Sequence, residues 1–284
     1  MIAILLKFVK VSNLAKKMKK NSYFSAVFTI FLLFSFFIVN PVKASVLNLK
    51  SSSSQNIPIL MYHYIELAPA SSTLKGLYLD PSIFKSQLNE IKNENFNDVF
   101  VSEVANSLIS KKSLANNSIA LTFDDGYEDF YTNVFPLLKK CKIKATLYVI
   151  INALDTPGYL TREQLKELSN SEYVEIGSHT FNHPDLTTLN QFKSEYEIIK
   201  SKKALEDIIN KPVLSFCYPF GHYSEYDAKL AAQASYLASV TTANGVSHDK
   251  SELMTLTRLR PGARNGSEFS TWLKSLFKTK NHLF

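Results

Sequence analysis

The chain has 284 residues, 45% of them hydrophobic and only two of them cysteine. This is enough for one domain with a full hydrophobic core and excludes a scaffold held by disulfides. The net charge of +7 belongs to the N-terminus, because residues 1–44 contain seven lysines and no acidic residue, whereas the remainder carries 25 basic and 25 acidic side chains. The neutral remainder gives no reason to expect nucleic acid as a partner, and a neutral or partly cationic glycan is electrostatically acceptable.

Residues 1–44 are predicted to be a secretory signal peptide. A lysine cluster at 16–20 precedes an apolar stretch at 23–39, and small residues ending at Ala44 follow. Translation could also begin at Met18, which would give a signal of more usual length. An uncleaved membrane anchor is the alternative, because the apolar stretch is at the lower limit of a membrane span. Either interpretation predicts a domain outside the cytoplasm.

Residues 45–56 are expected to be a flexible lead to a single domain at 57–284, in which predicted strands and helices alternate. The first helix is expected behind the capping residue Asp80. Strands are predicted at 57–61, 118–123, 145–150, 173–177, 213–217 and 237–241, and further helices at 131–141, 161–168, 192–209, 228–234 and 269–276. This alternation predicts a parallel sheet, whose functional residues lie at the C-terminal ends of the strands.

The two cysteines are predicted to be free thiols. Cys141 ends a predicted helix, whereas Cys217 ends a predicted strand. In a barrel-like fold these points lie at opposite ends of the parallel strands, too far apart for a disulfide.

Residues 121–127 (LTFDDGY) place two adjacent carboxylates, Asp124 and Asp125, at a turn directly after a short apolar strand. Neighbouring side chains at a strand end point in different directions, so one carboxylate can bind a metal while the other stays free as a proton acceptor. A solvated turn is the alternative for this motif taken alone.

Residues 177–185 (GSHTFNHPD) place His179 and His183 four positions apart after another predicted strand. Two imidazoles at this spacing can hold one divalent ion, although such pairs also occur without a metal. The HExxH pattern of zinc peptidases is absent. The histidines still need an anionic third ligand, for which Asp125 is the candidate, and Asp124, adjacent and unligated, is then the general base.

With these motifs the chain resembles the polysaccharide deacetylases of carbohydrate esterase family 4, whose core is the NodB homology domain. The resemblance rests on residues 122–126 (TFDDG), 179–183 (HTFNH), 216–221 (FCYPFG) and 239–242 (SVTT). Within the family the chain looks most similar to the biofilm poly-N-acetylglucosamine deacetylases, because of residues 59–65 (ILMYHYI), 80–84 (DPSIF) and 218–221 (YPFG). The resemblance implies a distorted (β/α) barrel with about seven strands.

The resemblance also implies roles for residues in the third motif. The oxyanion is stabilised by the backbone amide of Phe220, where most relatives have tyrosine. An arginine that orients the general base usually stands in this motif, but Cys217 occupies its position here. Arg258 is the candidate to supply this cation from a neighbouring strand, with a surface salt bridge as the alternative.

The resemblance also suggests a proton donor, although the usual family motif for it is absent. Family members usually take it from a Leu-x-His motif near the C-terminus, which this chain lacks. The biofilm deacetylases resemble a circularly permuted arrangement in which an N-terminal strand carries the acid, and His63 fits that arrangement. A buried structural imidazole is the alternative. His222 is the next candidate, and His248, in a polar stretch, is predicted to lie at the surface.

These observations predict a secreted, monomeric, metal-dependent N-deacetylase of a β-linked N-acetylglucosamine polymer. Zn²⁺ is the expected ion, with Co²⁺ or Ni²⁺ as substitutes. One alternative is a peptidoglycan or chitooligosaccharide deacetylase with the same site. The other is a non-catalytic glycan-binding protein that keeps the fold. Membrane association through residues 23–39 would accompany an uncleaved N-terminus.

Overall fold

The computed structural model describes residues 54–277. The predicted signal or anchor segment, most of the predicted lead and residues 278–284 lie outside this part of the chain. No helix within residues 54–277 is both long enough and apolar enough to cross a membrane.

The strands form a barrel of parallel β-structure. In chain order they are β1 (Gln55–Asn56), β2 (Ile59–Tyr62), β3 (Asn97–Asp98), β4 (Ser118–Phe123), β5 (Ala145–Val149), β6 (Val174–Ser178), β7 (Ser215–Cys217), β8 (Ala238–Asn244), β9 (Ser247–His248) and β10 (Leu256–Arg258). Seven of them are hydrogen-bonded in the order β10-β8-β7-β6-β5-β4-β2, and every neighbouring pair is parallel. The short strand β3 adds to the start of β4.

Leu259, directly after β10, nearly closes the barrel. Its N–H donates to the carbonyl oxygen of Ile59 at 2.8 Å, and its own carbonyl oxygen accepts from the N–H of Met61 at 2.8 Å. The predicted distorted barrel of about seven parallel strands is therefore confirmed.

Helices connect the strands on the outside of the barrel. They are α1 (Pro81–Asn93), α2 (Val101–Ser110), α3 (Phe135–Cys141), α4 (Arg162–Ser169), α5 (Gln191–Glu195), α6 (Ser201–Ile209), α7 (Glu225–Gln233) and α8 (Gly266–Ser275). Single π-helical turns, Phe130–Val134 and Tyr196–Lys200, precede α3 and join α5 to α6. Short 3₁₀ turns lie at Lys75–Leu77, Ile151–Ala153, Leu186–Thr188, Pro219–Gly221 and Lys250–Glu252.

Two helices differ from the sequence prediction. Helix α2 is not predicted, because its N-cap residue is Phe100 rather than a short polar residue; here the Glu103 carboxylate accepts from the Phe100 N–H at 2.8 Å. The helix predicted at 131–141 begins with a π-helical turn. Pro136 follows this turn and has no N–H to donate to an α-helical hydrogen bond, which accounts for the irregularity.

Side chains along each strand alternate between two buried clusters. One cluster, which includes Leu60, Leu121, Leu147 and Phe216, packs against the helices. The other includes the intervening strand residues Ile59, Ala120, Tyr148, Cys217, Val240 and Leu256. Since successive strand residues point to opposite faces, the second cluster fills the barrel interior.

The prediction that His248 lies at the surface is wrong. Its side chain is 1% exposed, and its Nε2 lies 3.2 Å from the carbonyl oxygen of Ile57. Gln55 and Asn56, expected to be in the flexible lead, pair with β9 instead. This long-range pairing covers His248, and local polarity carries no signal of it.

Candidate active site

The strand ends bring the candidate residues to one rim of the barrel. His63 follows β2, the two aspartates follow β4, His179 follows β6, and Cys217 and Arg258 end β7 and β10. Parallel strands present their C-terminal ends at the same edge, so residues far apart in sequence converge there.

Asp124 and Arg258 form a buried, bidentate ion pair. Arg258 Nη1 lies 2.7 Å from Asp124 Oδ1, and Nη2 lies 2.8 Å from Oδ2. The guanidinium also donates from Nε to the Thr241 carbonyl oxygen at 2.8 Å and from Nη1 to Thr122 Oγ1 at 3.0 Å. Arg258 is fully buried and Asp124 is 3% exposed. The alternative of a surface salt bridge therefore does not apply.

This ion pair sets the protonation state of Asp124. Burial alone would raise the pKa of the carboxyl, but the charge and hydrogen bonds of Arg258 outweigh burial and hold the pKa below its ordinary value. Asp124 is therefore ionised and oriented, as a proton acceptor must be.

The small side chain of Cys217 leaves space for the side chain of Arg258. Its Sγ lies 3.3 Å from Arg258 Nη2, inside the barrel. Burial raises the pKa of the thiol, so it stays protonated. Both cysteines of the chain are free, as predicted. A small residue on β7 and a long cation on β10 thus complement each other beside Asp124.

Asp125, His179 and His183 form a separate cluster. His179 Nε2 lies 3.3 Å and His183 Nε2 lies 3.5 Å from the same oxygen, Asp125 Oδ1. One ligand atom from each residue lies within 4.8 Å of the others. Burial, together with the charge of His179, lowers the pKa of His183 to about 4, so this imidazole is neutral at pH 7. A neutral imidazole is the form that binds a metal.

The environment of His179 fits a divalent ion. Its Nδ1 lies 2.8 Å from the carbonyl oxygen of Cys217, which can only accept, so Nδ1 carries a proton. Burial lowers the pKa of His179, but the neighbouring acceptors at Cys217 and Asp125 outweigh burial and raise this pKa well above 6.5, so without an ion a second proton lies between Nε2 and Asp125. A divalent ion can take the place of this proton, because Nε2 and the carboxylate then both act as ligands. An imidazole oriented by a backbone carbonyl in this way is typical of metal sites.

A second possible cluster fits a metal less well. Asp124, His179 and Cys217 also have ligand atoms within 4.8 Å of one another. However, Arg258 donates hydrogen bonds to both Asp124 and Cys217. A guanidinium at this distance would repel a divalent ion, so the Asp125 cluster is the better site.

The loops of the site hold strained backbone conformations. Asp125, Thr180, His183 and Phe220 all have positive φ, at 77°, 69°, 57° and 60°. Non-glycine residues rarely adopt this region, and such strain concentrates at functional sites. The surrounding contacts must therefore hold these loops in place.

Glu197, which the sequence analysis missed, holds the loop between the two histidines. Its Oε2 accepts from the N–H groups of Phe181 and Asn182, each at 2.8 Å, and its Oε1 accepts from Asn182 Nδ2 at 2.6 Å. Glu197 is 6% exposed and lies in the π-helical turn between α5 and α6. A glutamate within a helix gives no sequence signal for this role, because the contact depends on how the helix packs.

His63 lies beside Asp124. Its Nε2 is 3.8 Å from Asp124 Oδ2, and its side chain is 13% exposed. Burial lowers its pKa, and the charge of Asp124 opposes this effect. His63 lines a cavity of about 260 Å³, so one edge of the ring can meet a ligand.

Phe220 lies in the loop after β7. Its side chain is 55% exposed, and its ring centroid is 4.8 Å from that of His183. The next residue, Gly221, has φ 77°, and a Cβ there would lie 2.1 Å from Thr242 Oγ1. Glycine is therefore required at this position for the loop to pass so close to Thr242.

His222 lies outside this group of side chains. It is 58% exposed at the side chain, and its Nδ1 pairs with Asp185 Oδ2 at 2.8 Å.

We expect Glu197→Ala to weaken zinc binding by roughly 10–100-fold, because the histidine loop loses its support while every ligand remains. Zinc affinity can be measured by competition with a chromophoric chelator. Glu195→Ala is the matched control, since Glu195 lies in α5 and contacts only the Tyr226 hydroxyl among the described hydrogen bonds. Equal zinc affinity in the Glu197 variant and the wild type would contradict the role.

We expect Arg258→Met to lower the free energy of unfolding at pH 7 by about 3–5 kcal/mol, because it leaves a buried carboxylate unpaired. Arg162→Met is the control, since it removes an exposed ion pair with Asp155 and should cost less than about 1 kcal/mol. Urea unfolding measures both losses.

The stability loss in Arg258→Met should depend on pH. The wild-type pair contributes stability above the ordinary Asp pKa of 3.8 and loses it as pH falls toward the lowered folded-state pKa. In Arg258→Met, burial is opposed only by His63 and His179, and the Asp124 pKa rises. The stability difference between wild type and variant should therefore be largest near neutrality, begin to shrink where Asp124 of the variant takes up a proton above pH 3.8, and shrink further below pH 3.8. A pH-independent difference would show that Asp124 is not the group involved.

Comparison with known proteins gives consistent matches. A family model described as polysaccharide deacetylase matches residues 111–239. YxkH of Bacillus subtilis (strain 168), named as a polysaccharide deacetylase, is 30% identical over 230 residues, which cover 80% of each chain. The poly-β-1,6-N-acetyl-D-glucosamine N-deacetylase of Staphylococcus aureus (strain MRSA252) is 28% identical over 174 residues, covering 56% of this chain and 59% of that protein.

Among solved structures, Streptococcus pyogenes deacetylase PplD in complex with acetate is 31% identical, with a TM-score of 0.72. The match covers 78% of this chain and 99% of the PplD chain. Both the sequence and the architecture thus agree over most of the described domain. The chain belongs to the polysaccharide deacetylase family.

Proposed function

We propose that this protein is an exported, metal-dependent N-deacetylase of a β-linked N-acetylglucosamine polymer. The observation that carries the proposal is that two adjacent aspartates have different partners. Asp124 is ion-paired with Arg258, whereas Asp125 faces two histidines. One carboxylate is thereby available as a base and the other as a metal ligand.

The polymer and the location of the enzyme are supported by further observations. Similarity to the S. aureus enzyme, whose name specifies poly-β-1,6-N-acetyl-D-glucosamine, favours a substrate of that type. The lysine cluster and apolar stretch within residues 1–44 favour export of the protein. An exported enzyme would meet such a polymer outside the cytoplasm.

Hydrolysis of an acetamide needs an activated water, a stabilised oxyanion and a proton for the leaving amine. A divalent ion held by Asp125, His179 and His183 would polarise the acetyl carbonyl and lower the pKa of water. Asp124 accepts the proton of the attacking water, and Arg258 keeps this carboxylate oriented.

Phe220 and His63 complete the reaction. The backbone N–H of Phe220, in the loop beside His183, donates to the developing oxyanion. His63 donates a proton to the departing nitrogen. Since His63 Nε2 is 3.8 Å from Asp124 Oδ2, the group that accepts a proton and the group that delivers one lie side by side.

The direct test is release of free amine by the purified protein from poly-N-acetylglucosamine, chitin oligomers and peptidoglycan. We expect the first substrate to react fastest, and a chelator to abolish turnover until Zn²⁺ or Co²⁺ is restored. Full activity in a demonstrably metal-free sample would exclude metal dependence. Preference for peptidoglycan would favour the alternative substrate, and no release from any of the three would favour a glycan-binding protein.

The adjacent aspartates should respond differently to the same substitution. Asp124→Asn should retain the metal and lose turnover by roughly 10²-fold or more, because the base is missing. Asp125→Asn should instead weaken metal binding, because a charged ligand is lost. Metal content by atomic emission and turnover on one oligosaccharide distinguish the two variants. The opposite pattern would exchange their roles.

His63→Ala should lower kcat while leaving metal content and the fold unchanged, because the leaving amine is protonated only in the transition state. Wild-type kcat/KM should fall as pH rises through the His63 pKa, which burial places below its ordinary value of 6.5. This alkaline limb should disappear in the variant. Loss of the fold would identify a structural histidine, and unchanged turnover would leave His222 as the next candidate acid.

A further inference from the structure

The segment that carries His63 is held by two side chains from the π-helical turn that follows the adjacent aspartates. Asp129, directly before this turn, accepts a hydrogen bond at Oδ2 from the Ile65 N–H. Asn133, within the turn, donates from Nδ2 to the carbonyl oxygen of Ile65 at 2.9 Å. Both backbone hydrogen-bonding groups of one fully buried residue are therefore fixed by side chains 64 and 68 positions away.

The loop of the two aspartates also contacts the residue between His63 and Ile65. The ring centroid of Tyr64 lies 3.6 Å from that of Tyr127, which belongs to this loop, and the two rings are stacked. The Tyr64 N–H donates to the carbonyl oxygen of Leu77 at 3.1 Å. The turn that carries the proposed base and metal ligand thus holds the His63 segment at two consecutive residues.

A carboxylate is a costly side chain for such a backbone contact. Asp129 is 8% exposed, and burial raises its pKa to about 6, although the Ile65 N–H opposes this effect. Its other oxygen, Oδ1, is buried and has no partner with hydrogen-bond geometry among the described residues. Both features lower stability. A residue that fixes a backbone position at such a cost is typical of the surroundings of a functional site.

His63 occupies its place beside Asp124 because the chain is fixed on both sides of it. Before His63, the carbonyl oxygen of Tyr62 accepts from the Asp124 N–H at 3.0 Å. After it, Ile65 is held as described. His63 Nε2 lies 3.8 Å from Asp124 Oδ2, and displacement of a reacting group by about 1 Å can lower turnover by roughly 10²-fold.

We propose that Asp129 is a positioning residue, which acts with Asn133 to hold His63 beside Asp124. The inference rests on the proposed function, because that reaction makes His63 the proton donor. Asp129 and Asn133 act through the backbone of Ile65 and not on the substrate. Loss of either contact should therefore lower kcat and leave KM and metal content unchanged.

Turnover of a β-1,6-linked N-acetylglucosamine pentamer tests whether Asp129 acts through His63. Asp129→Ala should lower kcat by roughly 10–100-fold in the wild-type background. In the His63→Ala background the further loss should be about twofold or less, because no acid remains to be positioned. Asp129→Asn should restore most of the activity, since its carbonyl oxygen can accept from the Ile65 N–H. Thr132→Ala is the matched control, because Thr132 is exposed in the same turn and its hydroxyl bonds only to the Glu128 carbonyl oxygen among the described hydrogen bonds.

A second measurement does not require turnover. In the zinc-loaded protein with ¹³C-labelled histidine, the Cε1–H signal of His63 is identified by its absence in His63→Ala. This signal should shift in Asp129→Ala and in Asn133→Ala, because the His63 segment moves when either contact is lost. It should keep its wild-type position in Thr132→Ala.

An equal loss of kcat in both backgrounds, or an unchanged His63 signal in a folded alanine variant, would overturn the positioning role. If Asp129→Ala does not fold, Asn133→Ala is taken through the same two measurements. Loss of the fold in both alanine variants would identify a structural pair and overturn the role. A shifted His63 signal in a protein whose wild type releases no acetate would support the contact and contradict the proposed function.

Discussion

The buried ion pair between Asp124 and Arg258 is the interaction on which the rest of the site depends. Taking both charges out of water is costly, and only a bidentate contact with further hydrogen bonds offsets that cost. Arg258 reaches these partners because Cys217 is small and because Thr241 and Thr122 offer oxygen acceptors. The pair connects β4, β8 and β10, so Asp124, the proposed general base, is oriented by the barrel itself.

The orientation of Asp124 toward the barrel interior determines the orientation of Asp125. Asp125 must point elsewhere, and its φ of 77° directs it to the two histidines. The strained conformations of Asp125, Thr180 and His183 are maintained by contacts with residues outside the proposed catalytic group. Glu197 makes three of these contacts. The candidate metal cluster is thus preorganised by its surroundings rather than by local preference.

Charge is distributed unevenly around the rim. Arg258 is paired with Asp124 inside the barrel, and the candidate metal ligands Asp125 and His183 line a cavity at the rim. Another cavity, which shares Tyr127 and Tyr159 with the first, is lined by Glu66, Glu128 and Asp129.

The sequence by itself determined the architecture and most of the candidate site, because the alternation of strands and helices and the motifs at 122–126 and 179–183 are local signals. The sequence offered Arg258 as a candidate cation, but tertiary structure alone decided that it pairs with Asp124 rather than forming a surface salt bridge, since the two residues lie 134 positions apart. Tertiary structure also decided the burial of His248, the support of the histidine loop by Glu197 and the assembly of the cavity lined by three carboxylates. Each of these depends on long-range contacts between strand ends and helix faces, and short-range sequence patterns do not predict such contacts.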